Sequence, residues 1–324
     1  MKGTVFIAHP IPETGIDRLR ERFEVSVHPD IRPLETSALA DKLAGCGGVI
    51  SLLCDRIDGW VMDQCPGLKI IANHAVGYEN IDVAAARERG ILVTHTPGVL
   101  TAATAEIAFA LLITLTRRIM EADRFTRQGR FIGWDPLLLR GDELAGRTLG
   151  IIGMGRIGQD MARKCRAFDM HILYHNRRPV DPETERALSA EYVSLDDLLA
   201  RSDAVSIHAP STPETHHLID AEALGKMKAG SYLINTARGD IVHEAALADA
   251  LSAGGIKGAG LDVYEFEPKV TKGLLDLENV VLLPHIGSAT HEARDRMSAM
   301  AADNVIAALT GRTPPNRVPE MAGH

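Results

Sequence analysis

Short runs of β-branched and other apolar residues recur along the chain, each followed by a stretch with helical spacing. The first group reads "TVFIAHP", "FEVSVHP", "GGVISLL", "LKIIANHAV" and "ILVTHTP". The second reads "TLGIIGMG", "MHILYHN", "AVSIHAP", "SYLINTA", "KGAGLDV" and "NVVLLPH". Runs without apolar–polar alternation suit strands covered on both faces. Strands alternating with helices predict parallel sheets built from βαβ units. Eleven such runs are too many for one doubly wound sheet. At about 150 residues per domain, the 324 residues accommodate two α/β domains.

A Pro97-Gly98 turn separates the two groups. The segment after it, as far as Arg117, is apolar on nearly all sides, which predicts a helix buried between domains or between subunits. Next comes "FTRQGRFIGWDPLLLRGDELAGR", irregular and rich in glycine and bulky apolar residues. Loops of that length are usually functional or reach onto a partner, so the region near 120–147 reads as a dimer arm. Ser288 to Leu309 regains helical periodicity after the last strand and is placed to return to the first domain.

Composition narrows the function classes. A net charge of −8 opposes broad binding to nucleic acid or anionic membranes, which takes a basic surface. The most apolar run, Ala105 to Leu115, is interrupted by Glu106 and falls short of the ~20 residues of a bilayer span. "MKGTVFIAHP" enters a strand directly, with no secretory core, so a cytoplasmic protein is expected. Cys46, Cys54, Cys65 and Cys165 form no C-x-x-C pair and sit near no clustered histidines in sequence. They read as reduced thiols without a zinc site; Cys54, just past an apolar strand, reads as a buried structural thiol, with a place lining a cleft as the alternative.

The chemistry starts at Gly153-Met154-Gly155-Arg156-Ile157-Gly158. A strand, "TLGII", precedes it and a helix, "QDMARKCRAF", follows, which is the context that gives such a glycine triplet meaning. Gly153 permits the tight turn, Gly155 lets a pyrophosphate approach the backbone, and Gly158 lets helix and strand pack closely. The helix N-terminus offers N–H groups and a positive dipole end to phosphates. The next strand should end in an acid that bonds the adenosine ribose. Asn176 stands there instead, 18 residues after Gly158 (176 − 158), followed by Arg177 and Arg178. A neutral amide does not repel a 2′-phosphate, and guanidinium groups attract one. The expected cofactor is NADP(H), with NAD(H) as the alternative.

In the second half, polar residues stand just past apolar strands, where open parallel sheets place their ligand crevice. Arg238 follows "SYLINTA", Asp262 and Glu267 lie in "GAGLDVYEFEP", and His285 ends "NVVLLPH". An arginine holds a carboxylate, a histidine moves a proton near neutral pH, and a nearby glutamate stabilises the protonated imidazole. Taken singly, each also has a plain reading as a surface ion pair, a solvated acid, or one of 13 histidines.

Together, "LGIIGMGRIGQ", "INTARGDIV", "GAGLDVYEFEP" and "LPHIGSAT" resemble the D-2-hydroxyacid dehydrogenase family, as does "PGLKIIANHAVGYENIDVAAARERGILVTHTPGVLTAATAE". "LYHNRRP" and "GWDPLLLRGDELAGRTLG" are most similar to its glyoxylate and hydroxypyruvate reductases. The resemblance implies a flavodoxin-like substrate domain, residues 1–98 with 289–324, and an inserted Rossmann NAD(P)-binding domain, residues 99–288. It implies reduction of a short 2-oxo acid to the D-2-hydroxy acid. His285 would be the acid/base, Glu267 its carboxylate partner and Arg238 the substrate-orienting arginine. Thr104, Thr236, Ala237 and Asp262 would touch the cofactor. Leu53, Val76 and Gly77 would line the substrate, the latter two through backbone N–H groups. His74 and Ala75 depart from the family's usual small or polar residues. Members are typically homodimers through the cofactor domain, and Trp134 would either close a neighbour's pocket or pack at that interface. The alternatives are a reductase for another 2-oxo acid such as 2-ketogluconate, or a dinucleotide-sensing protein similar to corepressors. The chain ends soon after "RTPPNRVPE", without room for the regulatory domain of long phosphoglycerate dehydrogenases.

Overall fold

The computed structural model describes residues 3–321. The chain divides into two compact units: one runs to Leu100 and resumes at Ala289, the other is Thr101–Ser288. The first holds a five-stranded sheet of β1 (Thr4–Ile7), β2 (Glu24–Val27), β3 (Gly48–Ser51), β4 (Ile70–Asn73) and β5 (Leu92–Thr94). Its order, β2-β1-β3-β4-β5, is flavodoxin-like. Every pair is parallel, with Val5 opposite Val25 on one side and Gly48 on the other.

Burial on both faces explains why these strands show no alternation. Val5 and Ile7 pack with Ala301, Ala302 and Val305 of the helix His291–Leu309, while Phe6 and Ala8 face Leu39, Leu43 and Val49. Full burial of each large aliphatic side chain contributes about 1.5–3 kcal/mol. Ser298 pins the same helix: its hydroxyl donates to Pro12 O (2.7 Å) and accepts from Gly15 N–H (3.1 Å).

The second unit holds β6 (Thr148–Ile152), β7 (His171–His175), β8 (Ala190–Tyr192), β9 (Ala204–Ile207), β10 (Tyr232–Asn235), β11 (Gly258–Leu261) and β12 (Val280–Leu282). The parallel order β12-β11-β10-β9-β6-β7-β8 is the Rossmann arrangement extended by one strand. Twelve strands therefore stand among the described residues where the hydrophobic pattern gives eleven. The extra one, β8, is a three-residue edge strand with Glu191 and Tyr192 exposed, so it needs no apolar run.

The apolar helix Thr101–Thr116 is buried through packing within the second unit. Ala105, Ala108, Leu111 and Leu112 bury against Leu149, Ile151, Met161 and Ile234. That burial is supplied by the second unit's own sheet and its helix Arg156–Arg166, and Glu106 and Ala110 are exposed. The segment after it begins as a helix, Ile119–Arg127, with Arg127 2.8 Å from Asp123 one turn back. Beyond it, Phe131, Ile132, Trp134 and Leu137 are exposed, Ile132 almost completely at 98%.

Candidate active site

In the second unit the strand order reverses between β6 and β9, and ligand crevices of such sheets open at the carboxyl ends of strands at that switch point. The glycine loop lies there. Gly153 has φ +97°, and a Cβ on it would sit 2.6 Å from the backbone of His208 and Ala209. At Gly158 a Cβ would fall 2.2 Å from Gly153 O. Those two glycines are required by the protein's own packing. Gly155 is different: a Cβ there meets no protein atom within 4 Å, so only a ligand would gain from its absence. The helix Arg156–Arg166 starts immediately after, with Arg156 exposed and Ile157 half-buried in its first turn.

Asn176 closes this loop. Its Oδ1 accepts the Met154 N–H at 2.7 Å, and its own carbonyl accepts from the Tyr192 hydroxyl at 3.1 Å. Arg177 and Arg178 are exposed beside it. Glu214, past β9, is held below the usual carboxylate range by hydrogen bonds from Thr212 and its own backbone, and to a lesser extent by the Arg177 charge. Two buried polar atoms nearby have no protein partner: Thr236 Oγ1 and His208 Nδ1. Buried polar groups are ordinarily paired. The open face of Gly155 and the unpaired Thr236 hydroxyl therefore fit a bound dinucleotide.

The other candidates stand at the ends of β10, β11 and β12. Asn235 ends β10 and stiffens the turn after it, donating to Arg238 O (2.8 Å) and accepting from Ala237 N–H (3.0 Å). Asn235 is a residue that motif reading passed over; the signal was an amide at the end of a fully apolar strand, immediately before "TARG". Arg238 Nη1 donates to Ala237 O at 2.7 Å. Asp262, 1% exposed, accepts from Ile286 N–H and Gly287 N–H, both at 2.7 Å, while Thr104 Oγ1 donates to Gly287 O at 3.0 Å. Burial pushes the Asp262 carboxyl up, against the pull of those N–H groups and of His285.

This clamp fixes the turn that presents His285, whose backbone is left-handed at φ +53°. Its Nδ1 lies 2.9 Å from Glu267 Oε2, and Glu267 Oε1 accepts the Tyr264 N–H at 3.1 Å. Burial would raise the Glu267 carboxyl, but the His285 hydrogen bond and charge, the Tyr264 N–H and the Arg238 charge together hold it below its usual range. Arg238, Asp262, Glu267 and His285, far apart in sequence, thus share one electrostatic neighbourhood. A cation, an imidazole with a carboxylate behind it, and a dinucleotide cradle together suit transfer of hydride and proton to a carbonyl acid.

Leu53, Val76 and Gly77 belong to the first unit, past β3 and β4, and each is half-buried. Val76 O accepts from His95 Nδ1 (2.8 Å) and Gly77 O from Asn73 Nδ2 (2.7 Å), fixing the turn in which both sit. His74 just before it is buried with Nε2 unpaired, and burial, then the Arg294 charge, pulls it down to about 4. Cys54 corrects a sequence expectation. It is exposed, with Sγ 3.4 Å from His9 Nε2, whereas Cys46, Cys65 and Cys165 are buried. Past β3 the chain turns outward, and the Asp55 carboxylate rather than Cys54 points back to the interior, accepting the Leu52 N–H at 2.7 Å.

A family model, the NAD binding domain of the D-isomer specific 2-hydroxyacid dehydrogenases, matches residues 109–287. A glyoxylate reductase of Thermococcus litoralis is 48% identical over 98% of this chain and 97% of its own. A solved protein of Thermus thermophilus superposes with a TM-score of 0.92 at 47% identity, covering 97% of this chain and 99% of that one. An NADPH-dependent glyoxylate/hydroxypyruvate reductase of Sinorhizobium meliloti, solved with NADP and malonate, gives 0.86 at 35% identity, covering 99% and 98%.

Proposed function

The chain belongs to the D-isomer specific 2-hydroxyacid dehydrogenases, and on that premise we propose that it reduces glyoxylate or hydroxypyruvate with NADPH, using Arg238, Glu267 and His285. Reduction of a 2-oxo acid such as glyoxylate at the expense of a nicotinamide dinucleotide is the activity of the enzyme. The observation that carries the residue assignment is the His285–Glu267 pair, 2.9 Å apart and within the field of Arg238.

The Arg238 guanidinium binds the substrate carboxylate and orients the ketone. When bound, the reduced nicotinamide supplies the hydride. His285, protonated and held by Glu267 through Nδ1, gives the proton on its other nitrogen to the oxygen that gains charge. Gly153, Gly155, Arg156, Ile157 and Gly158 would hold the pyrophosphate, Asp262 would face the nicotinamide amide, and Thr104, Thr236 and Ala237 would make further cofactor contacts. On the first unit, Leu53, Val76 and Gly77 are assigned to the substrate.

The NADPH preference rests on Asn176, Arg177 and Arg178. The Asn176 oxygen is committed to Met154 N–H, so the end of the amide left for the cofactor is a donor, and two exposed guanidinium groups adjoin it. The exposed apolar row Phe131, Ile132, Trp134 and Leu137 supports a homodimer through this unit. We place the enzyme in the cytoplasm, where its four free thiols stay reduced. Initial rates with glyoxylate and hydroxypyruvate, each with NADPH and NADH, test the substrate and cofactor assignment. His285→Ala should lower turnover by about two to four orders of magnitude with NADPH binding retained; an active variant overturns the role of His285.

A further inference from the structure

The switch point of the first unit's sheet lies between β1 and β3, and two loops meet at their carboxyl ends. His9 stands just past β1, and Cys54 and Asp55 just past β3. His9 Nε2 is 2.9 Å from Asp55 Oδ1 and 3.4 Å from Cys54 Sγ. The three potential ligand atoms all lie within 4.8 Å of one another, the one such grouping among the described residues. We propose that His9, Cys54 and Asp55 form a binding site for a single thiophilic divalent cation of the Zn²⁺ class.

Imidazole nitrogen, thiolate and carboxylate form the mixed donor set that such ions take, whereas Mg²⁺ and Ca²⁺ favour oxygen alone. Tetrahedral Zn²⁺ with bonds of about 2.0–2.3 Å sets its ligand atoms roughly 3.3–3.6 Å apart. The His9–Cys54 spacing meets that value, and the His9–Asp55 spacing needs to open by only about 0.4 Å. Two of the ligands are already oriented. His9 and Asp55 are buried, at 3% and 1% exposure, and Asp55 Oδ2 is fixed by the Leu52 N–H. Asn80 Nδ2 holds the loop itself through Leu52 O and Asp55 O, both at 2.9 Å. Supporting contacts of this kind are what give a metal site its affinity.

On loading, the Cys54 thiol proton leaves to bulk water and the neutral His9 ring keeps its one proton on Nδ1, so that Nε2 and Sγ are free to bind the cation. Cys54 is exposed, so solvent has access to the fourth coordination position that three protein ligands leave open. Sequence spacing hides the arrangement, because His9 and Cys54 are 45 positions apart. The inference uses only the first unit, and its loop adjoins Leu53, assigned above to the substrate.

The test is titration of the full-length, reduced enzyme with Co²⁺, followed by the thiolate-to-cobalt charge-transfer band, with competition by Zn²⁺. One equivalent should saturate the band, and Zn²⁺ should bleach it. Cys54→Ser, an exposed exchange that leaves the core untouched, should abolish it. His9→Gln should weaken Co²⁺ binding by more than about tenfold. No band at one equivalent in the wild type, or a band of full intensity in Cys54→Ser, overturns the proposal. Should His9→Gln fail to fold, the wild-type and Cys54→Ser titrations decide alone.

Discussion

Replacing Glu267 by Gln isolates what the carboxylate contributes, because it keeps shape and volume and removes one charge. Glu267 serves two donors, His285 Nδ1 at 2.9 Å and Tyr264 N–H at 3.1 Å. A carboxylate accepts both; an amide cannot. If the amide oxygen faces Tyr264, its NH₂ must donate to Nδ1, which selects a neutral imidazole that keeps its one proton on the outward nitrogen but lacks the positive charge that makes it a good acid. If the oxygen faces His285, two donors meet at Tyr264. Two unit charges at about 4 Å interact by about 1 kcal/mol in water and about 4 at an effective dielectric near 20. The side chains of His285 and Glu267 are 34% and 36% exposed, so solvent screening places the loss toward the lower end. A charge-assisted hydrogen bond is worth about 1.5–3 kcal/mol. A loss of about 2 kcal/mol corresponds to a fall of roughly 30-fold in kcat/KM. Initial-rate kinetics at saturating NADPH, beside a fluorescence titration of NADPH binding, measure it. Wild-type kcat/KM in Glu267→Gln would refute the reasoning. So would an equal loss of NADPH affinity, which would locate the effect in the cofactor site.

The glycine loop separates packing from ligand contact. Gly158→Ala should destabilise the fold by at least about 1–3 kcal/mol, the cost of overpacking, read as a lower urea midpoint. Gly155→Ala should leave that midpoint unchanged and weaken NADPH binding by about tenfold or more, since its methyl enters space that only the cofactor would use. Arg177→Ala with Arg178→Ala should raise KM for NADPH by about tenfold and leave KM for NADH alone. Asn176→Asp should act in the same direction by repelling the 2′-phosphate. An unchanged NADPH/NADH ratio in both variants would show that stretch misread. Burial, and for His74 also the Arg294 charge, holds His74 and His208 down to about 4 in the folded state, below the ordinary 6.5. The unfolded chain then binds the extra protons, so stability is complete above pH 6.5 and is lost as pH falls toward 4. His208→Gln should flatten that decline in urea midpoints; an identical slope would contradict it.

What the chain discloses depends on how far apart the interacting residues lie. The strand runs and the glycine triplet are local signals, and the switch point of the Rossmann sheet falls where they place it. β8 escaped because an edge strand carries no apolar requirement. For the helix Thr101–Thr116, composition gave its burial but not the neighbour that buries it, since its small and large apolar residues would pack equally well on a sheet or on another subunit. His9 with Cys54, and Asp262 with the turn at Ile286-Gly287, are long-range pairs. Nothing in a one-dimensional pattern brings them together; only the order in which parallel strands lie does.

Asn176 shows how one side chain couples the two scales. The second strand of a dinucleotide fold must both close the glycine loop and face the adenosine ribose. An acid does both with two acceptor oxygens, and the second oxygen then repels a phosphate. Here the amide oxygen accepts Met154 N–H at 2.7 Å, and turning the amide over would set NH₂ against that N–H. The loop itself therefore fixes which end of the amide looks outward, and that end is a donor. Loop closure and cofactor selection are then not independent: the contact that keeps Met154 in place also decides that position 176 offers a hydrogen to the ligand. The two arginines that follow add charge to a polarity that the backbone of the loop has already set.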